Sequence, residues 1–388
     1  MNFIDLAAQQ KKIRGKIEAR LRAVLDHGQY IMGPEIGILE TELASYTGTK
    51  HAISCSSGTD ALLMALMTYG VGPGDAIITT PFTFVATAEA VALVGAVPVF
   101  VDIDPATFNI DPALLEATIL SLKDQPRAGS PIPRQIADQR PRIRGIIGVD
   151  LFGLPADYAR ISTIAKEHGL FVIEDAAQSF GAEYHGKKAC GLADFGCTSF
   201  FPAKPLGAYG DAGMCFTDDD STAEFLRSIR VHGQGSDKYE NVRMGINGRL
   251  DTMQAAVLLA KMELFPEEIE LRREKAETYR TLLEVKDSPV TCPHTPDGYS
   301  SAWAQYSVLA KNGIDRALLL GRLKQAGIPT AIYYPRPLHL QKAFAQLGYK
   351  EGDFPASEDC AGRIFSVPMH PYLKTADQER IAGIIKAA

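Results

Sequence analysis

Across residues 12–25 the apolar positions Ile13, Ile17, Leu21, Val24 and Leu25 recur at the spacing of one helix face, and His27-Gly28 ends the run. This predicts one amphipathic helix. Downstream the pattern changes to short β-branched runs at 52–54, 76–80, 97–103, 146–149, 170–173, 195–200 and 214–216, separated by helical segments. Strands alternating with crossover helices build a mostly parallel sheet with both faces covered, because each parallel return must cross one face. The predicted fold class is α/β, with a seven-stranded, mostly parallel sheet.

After Arg249 the pattern becomes one long helix, from Leu250 to about Leu283, interrupted at Pro266. Proline has no N–H to donate and kinks or splits a helix, so the hinge between domains is placed there. Residues 1–265 read as the larger unit and 266–388 as a smaller α+β unit. The smaller one offers a strand at 303–310, a helix at 315–326, a strand around 330–333 and a final helix from Ala376. The Pro-, Gln- and Arg-rich stretch 123–142 has little periodicity and reads as an exposed loop insertion.

Composition narrows the class. The 388 residues are 46% hydrophobic and 22% charged, as in a globular chain. A net charge of −6 without a long basic block gives nucleic acid or an anionic membrane no electrostatic handle. The uncharged stretch 90–101 is too short to span a bilayer and contains Gly95 and Pro98. The start, Met1-Asn2-Phe3-Ile4-Asp5, lacks a signal-peptide layout. Cys55, Cys190, Cys197, Cys215, Cys292 and Cys360 show no close pairing, which fits a reducing cytoplasm. No CxxC, HxH or HExxH motif offers a local metal cluster.

In parallel α/β sheets ligands bind at the carboxyl ends of strands. One such end runs into Ser57-Gly58-Thr59 at a helix start, where free N–H groups suit a phosphate, although a plain N-cap explains the same residues. Another ends in Glu174-Asp175; the two carboxylates face opposite sides, so one is free to be solvated or capping. A third leads to Lys204 between Pro202 and Pro205. Desolvation there would free its amine as a nucleophile, while a snorkelling structural lysine is the alternative. Pyridoxal phosphate needs a phosphate cradle, a carboxylate for its ring nitrogen, a lysine and a flat group over the ring. Gly58 and Thr59 with Ser199, then Asp175, Lys204 and Phe84, supply that set. A Rossmann GxGxxG and a P-loop are both missing.

The segments 33–35, 57–62, 81–87, 174–179, 199–207 and 248–251, in that order, resemble the DegT/StrS sugar aminotransferases over nearly the whole chain. The resemblance implies a fold-type I pyridoxal-phosphate transferase with the aspartate-aminotransferase fold, passing through pyridoxamine phosphate. It implies that Lys204 attaches the cofactor and shuttles the proton, Asp175 pairs with the ring nitrogen, and Gln178 contacts the ring oxygen edge. Phe84 would stack on the ring, while Gly58, Thr59 and Ser199 hold the phosphate. The family's homodimer shares its sites, so that Asn247 reaches the neighbouring subunit's phosphate. Segments 3–6, 28–35, 231–234, 247–252 and 329–335 look most like enzymes that take an amino group from L-glutamate to carbon 3 of UDP-2-acetamido-2-deoxy-3-keto-glucuronate, for O-antigen or capsule sugars. Such a nucleotide-sugar carries a uronate and a pyrophosphate, and Arg249, Arg336, His339 and Tyr333 are the candidates to bind it. Alternatives within the resemblance are a carbon-4 aminotransferase of a UDP- or dTDP-4-keto-6-deoxy sugar and a cofactor-bound regulator. The family's dehydratases replace the lysine with histidine, which Lys204 opposes.

Overall fold

The computed structural model describes residues 1–123, 131–237 and 239–387. Helix α1 (Leu6–His27) begins before its apolar stripe, because the Asp5 side chain accepts from the Ala8 N–H and caps the first turn. It is followed by α2 (Pro34–Thr47), β1 (His51–Cys55), α3 (Gly58–Thr68), β2 (Asp75–Thr79), α4 (Ala86–Leu93) and β3 (Val97–Phe100). Next come α5 (Pro112–Lys123), α6 (Arg134–Ala137), β4 (Arg142–Val149), α7 (Tyr158–His168), β5 (Phe171–Asp175), β6 (Glu183–Tyr184) and β7 (Lys187–Lys188). The large unit closes with β8 (Phe195–Ser199), β9 (Gly213–Thr217), α8 (Asp220–Ile229) and α9 (Thr252–Met262).

The central sheet has seven strands in the order β1-β9-β8-β5-β4-β2-β3. All neighbours are parallel except β9, which runs antiparallel to both β1 and β8. Strand alternation divides the core. Ile53, Ile77, Ile147, Ile173 and Cys215 face α3, α4 and α8, while Ala76, Ile78, Ile146 and Val172 face α5 and α7.

Helix α10 (Phe265–Leu283) starts after a break and holds Pro266 in its first turn, where a missing N–H costs nothing. Packing changes further along. Phe265 and Ile269 join the core of the large unit, whereas Ala276, Tyr279 and Leu283 join the small one. The change of domain therefore falls inside α10 rather than at Pro266. The small core is covered by the antiparallel sheet β10 (Val290–Thr291), β12 (Tyr306–Ala310) and β13 (Ile364–Val367), with α11 (Arg316–Gln325) and α13 (Thr375–Lys386). Strand β11 (Tyr299–Ser300) pairs instead with β6, and α12 (Pro355–Arg363) leads into β13.

Two expectations need correction. The strand around 330–333 is a single bridge between Ala331 and Ser366; Pro329, just before it, has no N–H to extend the pairing backwards. In the stretch 123–142, residues 124–130 lie outside the described residues. The remainder is not a plain exposed loop: α6 buries Ile136 fully against the core that includes Phe344 and Leu347. No described helix is long and apolar enough to cross a membrane.

Candidate active site

The carboxyl ends of β5, β8 and β2 and the start of α3 carry the residues singled out above. Ser57 caps α3 by accepting from the Asp60 N–H at 3.1 Å, so its hydroxyl serves the helix. Gly58 and Thr59 are the first helical residues, with the free N–H groups that any helix start presents. Gly58 is pressed against Ser199 at the end of β8: a Cβ on Gly58 would come within 2.7 Å of the Ser199 Cβ. A side chain there would collide with Ser199, so glycine is required by close approach.

Asp175 ends β5 and is buried; its Oδ2 accepts from the Thr87 hydroxyl at 2.8 Å and its Oδ1 from the Ala177 N–H at 3.3 Å. Burial raises its pKa, opposed by those two donors and by the Lys204 ammonium. Burial in turn lowers Lys204 to about 8, with Asp175 resisting the shift. The amine and the carboxylate thus share one electrostatic environment. Gln178, also buried, accepts the Phe152 N–H on Oε1 at 2.6 Å and donates from Nε2 to the Tyr334 hydroxyl at 3.3 Å. Phe84 is 55% exposed and its ring lies 6.3 Å from that of Tyr334. Thr87 and Tyr334 were missed by sequence reasoning. Both sat inside quoted motifs, but nothing local marks Thr87 as the partner of a carboxylate 88 residues away.

The remaining candidates are scattered. Asn247 is exposed on the loop that leads to α9; the Gly248 carbonyl beside it accepts from the Ser56 N–H at 3.0 Å. Arg249 has a buried Nε with no hydrogen-bond partner among the described residues. Tyr333 packs edge-on against Phe3, and Arg336 is exposed. His339 does not join them. It is 2% exposed, with Nε2 3.0 Å from Glu358 and its ring against Phe354, and burial lowers its pKa. The segment 338–354 packs on the large core and draws the imidazole inward.

Glu174 is neither solvated nor a helix cap. It is fully buried, accepts from the N–H groups of Cys190 and Leu192 at 2.6 and 2.9 Å, and lies within hydrogen-bonding reach of buried Asp150. Asp150 accepts from Ala156 N–H, Tyr158 hydroxyl and Ser179 hydroxyl. Burial raises both, Asp150 to about 7 and Glu174 well above its ordinary value, and each makes the other harder to ionise. Unfolded, both carboxyls ionise near pH ~4, so between that pH and about 7 the folded state binds more protons and stability falls as pH rises. Glu174→Gln should flatten this fall in urea titrations at pH 5 and 8. Glu174→Ala, leaving two buried N–H groups unpaired, should cost roughly 3 kcal/mol. An Ala variant as stable as the native protein would defeat this account.

Residues 11–386 match the DegT/DnrJ/EryC1/StrS aminotransferase family. The chain is 48% identical over 385 residues to a UDP-2-acetamido-2-deoxy-3-oxo-D-glucuronate aminotransferase of Pseudomonas aeruginosa, covering 99% of each chain. It is 45% identical over 381 residues to a pleiotropic regulatory protein of Geobacillus stearothermophilus, covering 98% of this chain and 96% of the other. A solved aminotransferase of the same family from Brucella abortus superposes with a TM-score of 0.92 at 48% identity, covering 100% of this chain and 99% of that one. With Lys204, Asp175 and the Gly58–Ser199 contact at the carboxyl edge of this sheet, the chain belongs to the DegT/DnrJ/EryC1/StrS family of pyridoxal-phosphate-dependent sugar aminotransferases.

Proposed function

We propose that this protein moves an amino group from L-glutamate to carbon 3 of UDP-2-acetamido-2-deoxy-3-keto-D-glucuronate, in the cytoplasm, for O-antigen or capsule sugars. The observation that carries the chemistry is the buried Asp175–Thr87 pair facing the desolvated amine of Lys204. The residues fit the cofactor: Gly58 and Thr59 open a helix against Ser199 with backbone N–H groups for a phosphate, and Asp175 is a buried carboxylate short of a strong partner. When bound, pyridoxal phosphate supplies an aldehyde for amine exchange and a ring that accepts electrons. Asp175 would keep the ring nitrogen protonated, Gln178 would meet the ring oxygen edge, and Gly58, Thr59 and Ser199 would hold the phosphate. Nζ of Lys204 would carry the proton, accepting it from the amine-bearing carbon of the donor.

The exposed apolar surface supports a homodimer. Tyr30, Ile31, Met32, Phe84, Phe201, Val242 and Met244 all present apolar surface. The bridge between Ile31 and Asp251 sets the first three beside the loop of Asn247 and Arg249. A second copy covering that surface would bring Asn247 to its neighbour's phosphate.

Sugar choice rests on the 48% identical relative and on Arg249, whose unpartnered Nε suits an anion such as a uronate. Arg336 and Tyr333 are further contacts; His339 supports the loop from within. Arg249→Gln should raise KM for the uronate-bearing sugar by roughly 10- to 100-fold, the range of one lost charged hydrogen bond. The glutamate half-reaction should stay within about twofold, since Arg249 touches none of its groups under this reading. Steady-state kinetics with the UDP-keto-sugar decide it: if Arg249→Gln and Arg336→Gln both bind the uronate normally, this pocket assignment fails.

A further inference from the structure

Lys261 lies on α9 with only 1% of its surface exposed, where lysines normally extend to water. Its Nζ points inward, 2.6 Å from the Gly207 carbonyl and 4.4 Å above the Tyr209 ring. That carbonyl belongs to the return limb of the loop that carries Lys204. The loop is poor in backbone donors, since Pro202 and Pro205 have none. Two internal bonds tie it: Lys204 N–H to the Phe201 carbonyl at 2.8 Å and Ala208 N–H to the Phe200 carbonyl at 2.7 Å. Gly207 sits so close that a Cβ would come within 2.5 Å of the Pro202 carbonyl oxygen, so the limb has no slack. One turn pair earlier on the same face of α9, Gln254 accepts the Tyr209 N–H at 2.8 Å. Helix α9 therefore splints residues 207–209 with two side chains.

We propose that Lys261 is a positioning residue: its ammonium fastens the Gly207 carbonyl and so fixes the approach of the Lys204 amine. This rests on the reading of Lys204 as nucleophile. Burial lowers Lys261 to about 8, against the attraction of Glu268, so it keeps its proton at neutral pH. A neutral side chain of the same reach would fill the space yet release the carbonyl.

The test uses the full-length chain without cofactor, comparing Lys261→Met, which keeps the stem, with Lys261→Arg, which keeps a cationic donor. Amide hydrogen exchange across 204–210 should accelerate about tenfold in the Met variant, while β4 and β5 keep native protection. The pH midpoint for acylation of Lys204, read by peptide mass spectrometry, should move off the native value in Met and return toward it in Arg. With cofactor restored, kcat should fall roughly tenfold with the glutamate KM little changed, as for a misplaced catalytic group. Native exchange and a native midpoint in the Met variant would overturn the proposal, as would acceleration spread evenly over the whole sheet. Should the Met variant not fold, Lys261→Leu, which also has no donor, is measured by the same two readouts and decides in the same way. If native Lys204 itself shows an ordinary lysine midpoint, it is the nucleophile reading that fails, separately from the role of Lys261.

Discussion

Lys204→Ala is expected to abolish amino transfer, lowering kcat/KM by roughly four to six orders of magnitude, the scale on which loss of a nucleophile that also moves protons is felt. The amine is desolvated between Pro202 and Pro205, and burial brings it down to about 8. It is therefore deprotonated about 2 pH units earlier than an exposed lysine, whose pKa is ~10.4. Two further consequences follow from the same environment. Acylation of Lys204 in the cofactor-free protein should rise with pH and level off above about 8, whereas exposed lysines continue to rise. Lys204→Arg keeps the positive charge beside Asp175 but cannot form the bond to the cofactor, and it should be as inactive as alanine. Product formation by mass spectrometry checks the two variants, with circular dichroism to confirm folding, and peptide mass spectrometry reads the acylation. An active arginine variant would mean that Lys204 acts only as a charge.

Asp175→Asn should be the next most damaging change, reducing kcat by roughly 10²- to 10³-fold, as when a preorganised charge at a reacting centre is neutralised. Its geometry survives the substitution, because an amide still accepts from the Thr87 hydroxyl. What is lost is the negative charge that would hold a proton on the cofactor's ring nitrogen. Stability should move the other way. Burial already opposes the charged carboxyl, so asparagine removes a desolvation cost and the urea midpoint should stay level or rise. Thr87→Val, losing one hydrogen bond to a carboxylate, should cost less, about tenfold in kcat. Both half-reactions can be followed by single-turnover absorbance. Full activity in Asp175→Asn would remove Asp175 from the mechanism.

Neighbouring carboxyls thus serve different surroundings, Asp175 the proposed chemistry and Glu174 the fold. Strand alternation at the tip of β5 sends Asp175 toward Thr87 and Lys204 and sends Glu174 toward Asp150 and the backbone of Cys190 and Leu192. The first meets the Lys204 amine, and the second holds the loop that follows β7 by accepting from its backbone.

The sequence by itself determined the elements whose cause is local. The β-branched runs became the seven strands, Pro266 broke the long helix, and the motif order placed Gly58 at a helix start, Asp175 and Ser199 at strand ends and Lys204 in the loop after β8. Periodicity and proline chemistry act within a few residues and can be read in one dimension. Tertiary structure alone decided which strand pairs with which, including β9 inserted antiparallel between β1 and β8. It also decided the partners of polar groups: Thr87 for Asp175, Tyr334 for Gln178, Asp150 for Glu174 and Gly207 for Lys261. His339, read as a substrate contact, was claimed instead by Glu358 and Phe354. A buried polar atom must find a donor or acceptor wherever the fold brings one close, and that choice is made in space, between residues that no local pattern connects.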